Sequence, residues 1–108
     1  MTAPTAGRAL VLSRVKERPF QAQVEIWARR AGWLAYHSWS SLHSARGFPD
    51  LCLVRGTRLL FVELKTSKGE VTQSQREWLQ ALSLVPGIEV YVFRPADEAT
   101  IKEVLGLG

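Results

Sequence analysis

Pro49-Asp50-Leu51-Cys52-Leu53-Val54-Arg55-Gly56-Thr57-Arg58-Leu59-Leu60-Phe61-Val62-Glu63-Leu64-Lys65 is the stretch whose reading decides the fold. Two apolar runs, 49–55 and 58–65, flank Gly56-Thr57, and a glycine at the first turn position supplies the positive φ that a tight hairpin demands. The reading is a β-hairpin. Its register follows from the turn: Arg55 pairs with Arg58, and counting outward one residue per strand sets Asp50 opposite Glu63. Directly opposed residues of an antiparallel ladder project to one face, and the period of two brings Lys65 to that face as well. Two carboxylates and an ammonium therefore converge at the open end of the hairpin.

Opposed carboxylates repel unless a cation lies between them, and a hard divalent ion such as Mg²⁺ or Mn²⁺ prefers oxygen ligands. Leu51, Leu53, Phe61, Val62 and Leu64 make both strands read as buried on both faces, where a charge is costly unless paired or metal-bound. The competing reading makes Asp50 a turn residue after Pro49 and Glu63 with Lys65 a solvated strand face.

Beyond the hairpin, Thr72 with Gln75 forms a capping box, and Trp78, Leu79 and Leu82 give an apolar stripe, so 72 to about 84 is a helix ended by Pro86-Gly87. Trp78 reads as a packing residue of that stripe. Residues 88–93 are a β-branched and aromatic strand, and 96–105 a short closing helix. On the other side, Phe20, Val24, Trp27, Ala28 and Ala31 recur at helical spacing between Pro19 and Gly32. Residues 34–39 form a short strand and 40–47 a polar loop. The order α-β-β-β-α-β-α is an α/β fold with one domain over residues 17–108. Residues 1–16, without clear periodicity, read as a mobile N-terminal arm.

The 108 residues, 46% hydrophobic and 22% charged, suit a single core. No apolar run approaches the roughly 20 residues that cross a bilayer, which argues against a membrane partner and for a cytoplasmic setting. The lone Cys52 between Leu51 and Leu53 reads as reduced and buried, and neither histidine has a partner at zinc-ligand spacing. A net charge of +4 favours a polyanionic partner.

Gly47-Phe48-Pro49-Asp50, Glu63-Leu64-Lys65-Thr66, Gly69 and Gln75-Arg76-Glu77-Trp78-Leu79 together resemble the PD-(D/E)XK nuclease superfamily and, within it, the virus-type replication-repair nuclease (VRR-NUC) family. The resemblance covers about residues 17–94. It implies a restriction-endonuclease-like core, a mixed central sheet flanked by helices, and Mg²⁺- or Mn²⁺-dependent cleavage of DNA phosphodiesters. In the family pattern Asp50 and Glu63 are metal ligands with the Leu64 carbonyl as a third oxygen. Lys65 positions or activates the attacking water and stabilises phosphate charge. Gln75 matches the family's glutamine, which holds a metal-bound water or a phosphate, while its capping-box role is the alternative.

The superfamily's commonest form carries an acid on the first helix, and this chain departs from it. Gln21 stands about three turns before Gly32, with Glu17 one turn earlier and Glu25 one turn later. Glu17 and Gln21 border the apolar stripe and rank above Glu25, although Pro19 sets Glu17 at or outside the helix start. Ser41, His43, Ser44 and Arg46 in the loop, with Lys68 and Arg76, offer donors and cations for phosphate. The expected function is a DNA endonuclease of branched, flapped or nicked DNA in replication, repair or recombination, acting as a homodimer. Two alternatives stand: a catalytically silent DNA-binding or scaffold domain, and a restriction-type or Holliday-junction-resolving nuclease. If the host is viral, the setting becomes the host-cell cytoplasm or nucleoid.

Overall fold

A computed structural model describes residues 19–38 and 45–107. The expected arm over 1–16, Glu17, Trp39 and the loop residues Ser41, His43 and Ser44 lie outside the described residues. Within them the chain runs α1 (residues 19–30), β1 (Leu34–His37), β2 (Leu51–Arg55), β3 (Arg58–Leu64), α2 (Gln73–Ser83), β4 (Ile88–Phe93) and α3 (Glu98–Leu105). The four strands form one sheet in the order β1-β2-β3-β4, antiparallel except for the parallel pair β3 and β4. Helix α2 supplies the crossover that a parallel pair requires. This is the expected α/β order with a mixed, helix-flanked sheet.

The hairpin register is the one its turn dictates: Arg55 pairs with Arg58 and Leu51 with Val62. Gly56 takes φ +58° and no non-glycine residue described has positive φ, the pattern of a type II′ turn. The ladder stops one step short of the expected strand, because β2 begins at Leu51 rather than Pro49. In a two-residue hairpin the turn-flanking pair is hydrogen-bonded and every second pair repeats it, so residue 49 falls due to exchange bonds with Leu64. Proline has no N–H to offer. The Leu64 amide donates instead to Asp50 Oδ2 at 2.7 Å, and Asp50 leaves the strand with its carboxylate turned to the hairpin's end.

Leu51, Leu53, Leu60, Val62 and Phe93 share one sheet face by register and are buried against Val24 and Ala28 of α1 and Ile101 and Leu105 of α3. The opposite face carries α2, joined through an edge-to-face chain in which Phe48 meets Trp78 at 5.0 Å and Phe61 at 5.8 Å. The expectation of strands buried on both faces holds only in part. Val54 is exposed, Cys52 is half-buried rather than buried, and α2 has no fully buried residue, so Trp78 packs while remaining partly accessible. One layer of helix that covers only part of a sheet face leaves the rest open. Helix α3 starts later than expected because Pro95–Asp97 form a 3₁₀ turn, with Asp97 Oδ2 accepting the Arg94 amide at 2.8 Å.

Candidate active site

The open end of the hairpin is a cleft of about 170 Å³. Its floor is Asp50 and Glu63, with Leu64 and Lys65 at the end of β3, Phe20 and Gln21 from α1, and Gln75 from the first turn of α2. Five of the six residues proposed from sequence for chemistry therefore meet in one place; the sixth, Glu17, is outside the described residues.

Glu63 is the polar residue of the described core, with 1% of its surface exposed, and its buried Oε2 has no hydrogen-bond partner among the described residues. Burial raises its pKa to about 9; the hydrogen-bonded carboxyl of Asp50 and that group's charge push the same way, and the Lys65 ammonium opposes them. A buried acid with an orphaned oxygen beside a second carboxylate is a costly arrangement that a bound cation relieves. The donor set fits a hard divalent ion: carboxylate oxygens on Asp50 and Glu63, and a carbonyl at Leu64. No cluster of three or more His, Cys, Asp and Glu occurs among the described residues.

The segment before Asp50 meets α2 through main chain as well as through the Phe48 ring. Gly47 has φ +83°, and a Cβ there would run into the Ser74 carbonyl and come within 2.8 Å of the Gln75 amide. Glycine alone lets this turn press against the first turn of α2, which sets Gln75 beside Asp50. The capping box is present as the sequence indicated: Gln75 N donates to Thr72 Oγ1 at 3.3 Å, and Thr72 N to Gln75 Oε1 at 2.8 Å.

Glu25 does not line the cleft; it makes a loose 3.7 Å ion pair with Arg29. Of the residues expected on DNA, Arg76 is tied to its own helix start, donating to Val71 O at 2.7 Å and Gln73 Oε1 at 2.9 Å. Arg46 and Lys68 are exposed and do not line the cleft. One residue that sequence reasoning missed is Arg94, whose Nη1 donates to Thr66 O at 2.7 Å and Gly69 O at 2.6 Å. It clamps the turn that follows Lys65, and nothing in local pattern signals a bond that spans 28 residues.

No helix among the described residues is long and apolar enough to cross a membrane. No curated protein matches the chain in sequence. Among solved structures, it superposes on a VRR_NUC domain protein with a TM-score of 0.64 at 24% identity, covering 85% of this chain and 89% of that one. It also superposes on Hjc of Archaeoglobus fulgidus, a Holliday junction resolvase from an archaeal hyperthermophile, with a TM-score of 0.55 at 24% identity. That alignment covers 71% of this chain and 67% of Hjc. Both show a shared restriction-endonuclease-like fold. The family model of the VRR-NUC domain matches residues 10–97, which takes in the hairpin, the cleft and α2 together, and on that extent the chain belongs to the VRR-NUC domain family of nucleases.

Proposed function

We propose that the chain is a divalent-cation-dependent deoxyribonuclease that hydrolyses phosphodiester bonds in branched, flapped, nicked or four-way-junction DNA. The observation that carries this is the buried Glu63 carboxyl with an unpartnered oxygen beside Asp50, in a cleft that also holds Lys65. Membership of the VRR-NUC family and the fold shared with a resolvase support it.

In this reading Asp50 and Glu63 hold a Mg²⁺ or Mn²⁺ ion, with the Leu64 carbonyl as a neutral third ligand. The bound ion would supply Lewis acidity, lowering the pKa of water and neutralising phosphate charge. Lys65 holds the attacking water and donates to a phosphate oxygen, where charge builds in the transition state. Gln21 takes the first-helix position as a neutral amide. Its side chain can hold a water, and it adds no charge to a cleft that already holds two carboxylates. Arg46 and Lys68 contribute to the approach of the DNA backbone. A domain this small presents one cleft to one strand, and paired cuts across a branch need a second copy, so the active form is a homodimer.

The test is cleavage of labelled duplex, flap, nicked and four-way-junction DNA in Mg²⁺, Mn²⁺ or EDTA, with sedimentation of the same preparation for the dimer. Asp50→Asn keeps an acceptor for the Leu64 amide and should reduce cleavage to background; Lys65→Ala should lower it by about 10²–10³-fold. Cleavage that persists in EDTA or survives Asp50→Asn sinks the proposal. Binding without cleavage in every metal leaves the DNA-binding module.

A further inference from the structure

We propose that Arg94 is a positioning residue for Lys65: by fastening both ends of the 66–69 turn, it holds the lysine stem so that the ammonium stays in the cleft. The inference rests on the nuclease reading above. Lys65 Nζ makes no hydrogen bond or ion pair with any described residue, so no described partner fixes its tip. A free four-carbon stem samples many rotamers, and its direction has to be imposed from the side.

The main chain at Lys65 is fixed first. Its N–H donates to Phe93 O at 3.0 Å, which extends the parallel pairing of β3 and β4 past the Leu64–Phe93 pair. The chain then folds back, with Gly69 N donating to Thr66 O at 3.3 Å and to Thr66 Oγ1 at 3.0 Å. The returning chain runs beside the lysine stem, since a Cβ on Gly69 would stand 3.6 Å from Lys65 Cδ. Arg94 closes this turn: its Nη1 donates to Thr66 O at 2.7 Å and Gly69 O at 2.6 Å, so one nitrogen bridges the first and last carbonyls. Arg94 is itself anchored, its N–H donating to Asp97 Oδ2 at 2.8 Å. It does not line the cleft, so its effect on the reaction passes through the turn. Contact between its remaining donors and DNA is the alternative that the test must separate.

Single-turnover cleavage of a labelled nicked duplex by saturating protein in Mn²⁺ is measured for the wild type, Arg94→Ala, Lys65→Ala and the double variant. Duplex affinity is read in Ca²⁺ by anisotropy, and every protein is assayed where circular dichroism shows it folded. Arg94→Ala is expected to slow cleavage about tenfold or more with the affinity unchanged, because a displacement on the order of 1 Å is enough to cost such a factor. In the Lys65→Ala background the same substitution is expected to cost nothing further, the non-additivity of two residues that act through one group. Arg94→Lys keeps a cationic donor for the two carbonyls and should restore part of the rate. If Arg94→Ala does not fold, Arg94→Lys takes its place in the cycle, and its smaller loss should again vanish without Lys65.

Equal fractional losses in the two backgrounds overturn the proposal, as does a weaker duplex affinity with the saturated rate unchanged, which would make Arg94 a DNA contact. A lower thermal midpoint with no loss of rate makes the clamp purely structural and also overturns it. Lys65 can be followed without DNA by carbon-13 NMR of reductively methylated protein, its signal assigned by its absence from Lys65→Ala. Arg94→Ala should move that signal toward those of exposed lysines, and a signal that stays in place overturns the proposal whether or not the protein cuts DNA. A signal that moves in a protein that never cleaves DNA defeats the nuclease reading and leaves the clamp on Lys65 standing.

Discussion

At the scale of single residues, the cleft keeps a proton where an ordinary glutamate would have lost it. Glu63 has a folded-state pKa of about 9 against an ordinary 4.5. Between those values the folded protein holds a proton that the unfolded chain has released, so stability falls as pH rises across that window. The metal-free protein, followed by thermal unfolding in EDTA, should lose stability steadily from about pH 5 to pH 9. Glu63→Gln should flatten that slope and make the metal-free protein more stable than the wild type at pH 8. Added Mn²⁺ should raise the midpoint of the wild type more than that of Glu63→Gln. A wild-type midpoint independent of pH would contradict the assigned burial. The meeting of Asp50, Glu63 and Lys65 was legible from turn chemistry and the period of a strand, because both are local rules. The release of Asp50 from the ladder was not read, although the proline that causes it stands in the sequence. The Arg94 clamp on Thr66 and Gly69 was beyond local reading, since no periodicity links a side chain to carbonyls on another element.

Elements were legible in proportion to how sharply their ends are marked. β4 runs from Ile88 to Phe93 and α2 lies within the range its capping box indicates, while β2 and α3 each begin later than their apolar patterns suggest. A proline sits at the start of both misjudged elements: Pro49 ends a ladder and Pro95 opens a 3₁₀ turn. Two glycines in turns give a prediction at this scale. Gly56→Ala meets nothing within 4 Å and has only its φ to overcome, about 1 kcal/mol. Gly47→Ala has the same dihedral problem and also collides with the backbone of α2, so roughly 2–4 kcal/mol is expected. Urea denaturation of the two variants should rank them in that order. Equal losses would mean that the turn and α2 are not pressed together as described.

For the molecule as a whole, the two ends of the hairpin do different work. At the turn end, the guanidinium groups of Arg55 and Arg58 each lie 5.0 Å from the centre of the Trp33 ring. Arg55 Nη1 donates to Ala31 O at 2.9 Å and Leu105 O at 3.0 Å, which ties together the last turns of α1 and α3 where helix dipoles present negative charge. Arg58 donates to Glu89 through two nitrogens, at 2.7 and 2.8 Å, and the bonded guanidinium holds the Glu89 carboxyl down to about 2. The sequence reading used these arginines only to set register, because their partners, backbone carbonyls and the Glu89 carboxylate, lie far along the chain. Arg55→Ala should cost roughly 1–3 kcal/mol of stability by removing the side-chain donor to the Ala31 carbonyl, while the Leu105 carbonyl keeps the Trp33 indole N–H. Its cleavage rate under folded conditions should match the wild type, since the cleft lies at the opposite end of β2 and β3. A rate loss larger than the loss of folded protein would show that the two ends are coupled.

The bond from Leu64 N–H to Asp50 Oδ2 has a consequence for observation. Ladder amides of the hairpin bond to neighbouring strands, but this proton rests on a lone pair that an arriving cation competes for. Its nitrogen-15 resonance is therefore a built-in gauge of site occupancy, readable by NMR of isotope-enriched protein without DNA or turnover.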